Sequence, residues 1–77
     1  MADRAALHWI ASYMYRPARA GDDLFAAHVL DVWSGHRRLN IGDVEWLSEL
    51  EELARDEQHR RWARAVLEEL CERAGEF

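Results

Sequence analysis

The stretch from Asp22 to Gly35 is apolar on nearly every side when it is drawn as a helix. At about 100° per residue, its apolar side chains cover most of the circumference: Leu24, Phe25, Ala26, Val29, Leu30, Val32 and Trp33. Asp22 and Asp23 would interact with the free N–H groups at its start, and Gly35 favours a stop. A helix of this kind is normally buried by several neighbours, so we expect residues 22–34 to form a central helix.

A first helix is predicted over residues 3–15. Its main apolar face holds Leu7, Ile10, Ala11 and Met14. Trp9 and Tyr13 are four residues apart and form a neighbouring aromatic stripe. Pro17 disfavours helical geometry in the residue before it, so the helix ends there and a short connection leads to the second helix.

Residues 43–74 contain no Gly or Pro, yet their apolar face changes direction between the Trp46 and Trp62 regions. We therefore predict a break with Asp56 as an N-cap, which gives helices over about 41–54 and 56–74. A capping box from Ser48 to Glu51 would place the break earlier. The alternative is one long helix whose second half packs on another copy of the chain. The fold class predicted is all-α, a four-helix bundle forming a single domain over residues 1–77.

The composition disfavours an enzyme, a cofactor site or a metal site. The chain has 77 residues, one cysteine and four histidines. No histidine lies four residues from another, and the glycines form no phosphate-binding loop. A bundle of this size rarely encloses a pocket above about 300 Å³, so we expect no small-molecule substrate. The chain has neither a membrane-spanning stretch nor an export signal, which favours a cytoplasmic protein.

Each predicted helix carries one tryptophan: Trp9, Trp33, Trp46 and Trp62. The simplest interpretation is that all four anchor the core, because aromatic side chains supply much of the burial in a small domain. The alternative is that Trp9 and Tyr13 lie exposed and bind a partner, or a second copy of the chain.

The charges are segregated along the chain, whose net charge is −5. Residues 43–57 carry seven acidic residues and one arginine. On a continuous helix, four of the acidic residues fall within about 60° and along roughly 16 Å: Glu45, Glu49, Glu52 and Asp56. Such a stripe would suit a basic surface that normally holds nucleic acid. The alternative is an ordinary solvated helix face.

Two arginine clusters favour a different partner. Arg37 and Arg38 lie in the predicted loop before the third helix, and the start of the fourth helix carries Arg60, Arg61 and Arg64. They would allow a dimeric nucleic-acid-binding regulator. The acidic third helix would be repelled by a DNA groove, however, so we expect the second cluster to pair with neighbouring glutamates.

The function predicted from the sequence is a non-enzymatic module that binds a basic protein surface. In size and charge the chain is similar to small acidic phage proteins that inhibit host defence complexes, anti-CRISPR proteins among them. That resemblance implies an inhibitor acting on a host complex. The candidate binding residues are the acidic stripe with Trp9 and Tyr13. The alternatives are the arginine-based regulator, and a structural homodimer or small subunit of a larger assembly.

Overall fold

The computed structural model describes residues 3–75, of which 75% are helical, and shows no strand within them. The four helices are α1 (Arg4–Tyr15), α2 (Asp22–Trp33), α3 (Ile41–Leu53) and α4 (Glu57–Ala74). Every predicted helix boundary lies within one residue of the observed one. The all-α fold with four helices is therefore confirmed.

Side-chain caps fix three of the four helix starts. The Asp3 carboxylate accepts a hydrogen bond from the Ala6 N–H (3.0 Å) at the start of α1. At α3, Asn40 accepts from the Asp43 N–H (2.9 Å), while the Asp43 carboxylate accepts from the Asn40 N–H (3.2 Å). These reciprocal bonds form a capping box, which satisfies two N–H groups that have no partner within the helix.

The break between α3 and α4 lies at residues 54–56, so the alternative of one long helix is wrong. Asp56 is the N-cap of α4, as predicted, and its carboxylate accepts from the Gln58 N–H (2.8 Å). Ser48 lies inside α3 and caps no helix.

The start of α2 differs from the prediction. Its N-cap is Gly21, with φ of 90°, and no side chain caps it. Asp22 is buried instead of facing the helix end. Glycine adopts this left-handed conformation at little energetic cost because it has no Cβ. The conformation at Gly21 turns the chain sharply into α2.

The helices pack as two hairpins, α1 with α2 and α3 with α4, joined by smaller contacts between α1 and α4 and between α2 and α3. The core between them is formed by apolar residues of all four helices and the α2–α3 loop: Ala6, Ile10, Ala26, Val29, Val32, Leu39, Trp46, Leu47, Leu50, Ala63, Val66 and Leu70.

The expectation that α2 is a central helix is wrong. It buries one face against α1 and α3, while Leu24 on another face is 55% exposed. Because the four helices form a ring, none of them has neighbours on all sides. Within residues 3–75, no helix is long and apolar enough to cross a membrane.

Candidate functional site

Aromatic rings from all four helices meet in the interior. The Trp9 ring stacks on the His59 ring with centroids 4.9 Å apart, which joins α1 to α4. The Trp46 ring forms a T-shaped pair with Tyr13 (centroids 5.8 Å apart) and stacks on Phe25 (6.2 Å). Such ring pairs contribute beyond the burial of their area. Trp46 is buried, and Trp9 and Tyr13 are half-buried and packed against the core.

Trp9 and Tyr13 reach the surface in a cavity of about 210 Å³, which we call the aromatic recess. Its lining comes from α1, the α1–α2 loop, the start of α2 and both sides of the α3–α4 break: Trp9, Tyr13, Ala18, Arg19, Asp22, Leu50, Leu53, Ala54 and His59. This volume is below the range of about 300–1,000 Å³ typical of small-molecule sites. It suits a single side chain of a partner better than a free ligand.

Asp22 forms one wall of the aromatic recess and holds its other parts in place. Its carboxylate accepts hydrogen bonds from the Arg19 N–H (2.8 Å) and from the indole N–H of Trp46 (2.9 Å). Burial raises the pKa of the Tyr13 hydroxyl above 10.0, the negative charge of Asp22 raises it further, and Arg19 opposes both. Tyr13 is therefore a neutral hydrogen-bond donor at neutral pH.

Three glutamates of α3 point away from the bundle. Glu45, Glu49 and Glu52 are all exposed, and we call this set the acidic face. At 100° per residue they lie within about 60° of one another, and successive residues are about 4.5–6 Å apart along the axis. Glu49 pairs with Arg19 at 3.1 Å, whereas Glu45 and Glu52 have no ion-pair partner within residues 3–75.

Asp56 does not belong to the acidic face. The predicted stripe of four carboxylates required a continuous helix through residue 56, but α3 ends at Leu53 and Asp56 caps α4. The stripe is therefore one turn shorter than predicted.

Two large aliphatic side chains border the acidic face. Ile41 is 64% exposed and Leu53 is 61% exposed. Both lie within about 120° of helix surface shared with the three glutamates. Leu53 also lines the aromatic recess, so the acidic face and the recess are continuous. On the helical wheel Ile41 lies about 140° from buried Trp46, which indicates exposure, whereas Leu53 lies about 20° from Trp46, and its position in the sequence predicts burial.

Two members of the second arginine cluster form ion pairs with glutamates, as predicted. Arg61 pairs with Glu57 (3.2 Å). Arg64 pairs with Glu68 (2.7 Å) and Glu51 (3.3 Å).

The bond to Glu68 and the nearby charge of Glu51 raise the pKa of the Arg64 guanidinium above its ordinary value, so it stays charged. Arg60 differs from the prediction, since it donates to the Ala54 carbonyl (2.7 Å) at the end of α3 and pairs with no glutamate. Two of the three arginines in the second cluster are therefore paired with carboxylates, and Arg60 keeps its charge without an ion-pair partner within residues 3–75.

The first arginine cluster lies apart from the second. Arg37 and Arg38 line a cavity beside Arg73, at the far end of α4 from Arg60. Sequence analysis did not select Arg73, which is a basic residue in the last helical turn and is common there for electrostatic reasons. The cavity has a volume of about 660 Å³ and is open to solvent. It is larger than the limit of about 300 Å³ expected for a bundle of this size.

Among residues 3–75, no three His, Cys, Asp or Glu side chains are placed to hold a metal ion together. Cys71 is unpaired and half-buried beside the core. No protein-family model matches the chain, and comparison with curated proteins and with solved structures gave no significant match.

Proposed function

We propose that this protein is a non-enzymatic interaction module that binds a basic surface of another protein through the acidic face and the adjoining aromatic recess. The observation that carries the proposal is the arrangement of free charge. On α4, Arg61 pairs with Glu57 and Arg64 pairs with Glu68, whereas Glu45 and Glu52 on α3 have no ion-pair partner in residues 3–75 and face outward together.

Charge and apolar contact would have separate roles in this surface. Carboxylates spaced by one helical turn attract a basic partner at a distance, which mainly raises the association rate. Leu53 and the aromatic recess would receive an apolar or aromatic side chain, which mainly slows dissociation. Ile41 at the other end of the acidic face extends the contact.

The partner surface proposed is one that normally holds nucleic acid. A row of carboxylates on residues about 4.5–6 Å apart along the helix presents a dense negative charge like that of a nucleic-acid strand. Binding there would inhibit the partner by competition, which is the mode of action that the resemblance to small acidic phage inhibitors implies. The arginine-based regulator is not favoured, because its two clusters lie apart and two of the three arginines in the second cluster pair with glutamates.

The test is capture of partners from a nuclease-treated lysate of the source cell by three tagged chains. These are the native chain, an acidic-face variant (Glu45→Gln, Glu49→Gln, Glu52→Gln) and a control variant (Asp23→Asn, Asp31→Asn, Glu72→Gln). The control removes the same charge from exposed positions on other helices.

We expect one basic protein to be retained by the native and control chains, to be lost with the acidic-face variant, and to be released by added DNA. Equal capture by the native chain and the acidic-face variant contradicts the proposal. Equal loss with both variants shows that net charge alone, and not the acidic face, is responsible.

A further inference from the structure

The cavity between the α2–α3 loop and the end of α4 is not used by the proposed function. It is lined by Val32, Arg37, Arg38, Leu39, Leu70, Arg73 and Ala74, and we call it the arginine cavity. Within residues 3–75, no acidic residue lines it. The chain has a net charge of −5, yet three guanidinium groups surround this one opening and make it locally positive.

Two of the three arginines are held in place by their surroundings. Arg73 donates a hydrogen bond to the Trp33 carbonyl (2.9 Å), and its guanidinium lies 5.2 Å from the centre of the Trp33 ring. Arg37 is 3.8 Å from the buried carboxylate of Asp43. A side chain that is already ordered loses less conformational entropy when a ligand binds.

Arg38 provides the free charge of the cavity. It is exposed and forms no ion pair or hydrogen bond within residues 3–75. Arg37 and Arg73 each retain N–H groups beyond those used for their contacts, because a guanidinium carries five donors. The cavity therefore offers many N–H donors and positive charge to one ligand.

We propose that the arginine cavity binds the phosphate group of a small organic phosphate. A single carboxylate is satisfied by one arginine fork, whereas three arginines match a group with several oxygens and more than one negative charge. The floor residues Val32, Leu39 and Leu70 are each less than 10% exposed, so they offer little surface to a long apolar ligand.

The volume of the arginine cavity fits a ligand of mononucleotide or sugar phosphate size. About 660 Å³ lies in the middle of the range for small-molecule sites and is more than inorganic phosphate needs. A nucleic-acid strand is disfavoured as the occupant, because Arg61 and Arg64, which precede the cavity residues on α4, are paired with glutamates.

This inference does not rest on the proposed function, since no residue of the arginine cavity belongs to the acidic face. The test is an amide NMR titration of the full chain in about 20 mM salt, where electrostatic attraction is only weakly screened. The probes are AMP, ribose 5-phosphate and adenosine. We expect AMP or ribose 5-phosphate to shift the signals of Arg38, Leu39 and Arg73 with a Kd below about 1 mM.

Three variants test whether the phosphate binds in the arginine cavity. Arg38→Ala should weaken binding by about tenfold or more, as expected for the loss of a charged hydrogen-bond donor. Arg73→Lys keeps the charge but loses the fork and the stacking on Trp33, so weaker binding is expected with the helices intact. Arg55→Ala is the matched control, because Arg55 is exposed in the α3–α4 connection and does not line the cavity.

Several results would overturn the assignment. The first is that neither AMP nor ribose 5-phosphate shifts the amide signals at about 10 mM, far above the expected Kd. The second is that adenosine shifts the same signals as much as AMP does. The third is that Arg55→Ala weakens binding as much as Arg38→Ala does. Tighter binding of a single-stranded oligonucleotide than of AMP would show that a longer strand is the occupant.

Discussion

The indole Nε1 of Trp46 donates a 2.9 Å hydrogen bond to Oδ1 of Asp22, and both side chains are buried. The other carboxylate oxygen of Asp22 accepts from the Arg19 N–H, and the Arg19 guanidinium lies 3.5 Å from Oδ1. One buried carboxylate thus joins the α1–α2 loop, the start of α2 and the middle of α3. It also fixes the orientation of the largest buried ring.

Replacement of Asp22 by alanine is expected to lower the free energy of unfolding by about 2–3 kcal/mol, because it leaves the indole and Arg19 N–H groups without their acceptor. Urea denaturation followed by tryptophan fluorescence measures this change. Asp23→Ala is the control, since Asp23 is exposed next to Asp22, and its effect should stay near 0.5 kcal/mol. Equal losses in the two variants would show that the Asp22 contacts add no stability.

The raised pKa of Tyr13 predicts a loss of stability at high pH. In the unfolded chain the hydroxyl ionises near its ordinary value of 10.0, whereas burial and Asp22 delay ionisation in the folded chain. Because the unfolded state then binds fewer protons, the free energy of unfolding falls as pH rises from about 10 through the folded-state pKa. Below about pH 10, the full contribution of the neutral Tyr13 hydroxyl to the free energy of unfolding is present.

Tyr13→Phe should make the unfolding free energy decline less steeply above about pH 10. Tyr15→Phe is the matched control, because Tyr15 lies two residues away and is 82% exposed. Urea midpoints at each pH measure the difference. Parallel pH profiles for the native chain and Tyr13→Phe would contradict the prediction.

The helices were predictable because each one is encoded by local signals. Asp56 starts α4 through a bond to an N–H two residues on, and Pro17 prevents α1 from continuing. Such signals act within one helical turn and can be recognised without knowledge of the packing.

The contacts that decide the candidate sites were not predictable in the same way. Asp22 stands at a helix start, where a carboxylate normally caps, and its role depends on Trp46, which is 24 residues away. Arg73 joins the arginine cavity only because the end of α4 lies beside Trp33, 40 residues earlier. Which helices become neighbours in the ring determines both contacts.

Leu47 and Leu53 provide a comparison of buried and exposed positions on α3. Leu47 is fully buried, so Leu47→Ala should cost about 2–5 kcal/mol through lost burial and the cavity left behind. Leu53 is 61% exposed, and Leu53→Ala should cost less than about 1 kcal/mol. Thermal unfolding measures both. A large loss from Leu53→Ala would mean that this side chain supports the fold and is not available to a partner.

Removing negative charge from the acidic face is expected to raise the free energy of unfolding and to weaken binding of the partner. Glu45 and Glu52 have no ion-pair partner within residues 3–75, each lies three or four residues from Glu49, and no basic residue occupies the last turn of α3. Like charges at these spacings repel, and a carboxylate near a helix C-terminus opposes the helix dipole.

The double variant Glu45→Gln, Glu52→Gln should therefore raise the free energy of unfolding by about 0.5–1 kcal/mol. The same variant should lose the captured partner. Local rules of helix stability are commonly broken where a surface serves binding, so a gain in stability with a loss of binding is the result expected for a functional face. A lower free energy of unfolding in the double variant would instead show that these carboxylates stabilise the fold, and fold stability would then explain the acidic face without a binding role.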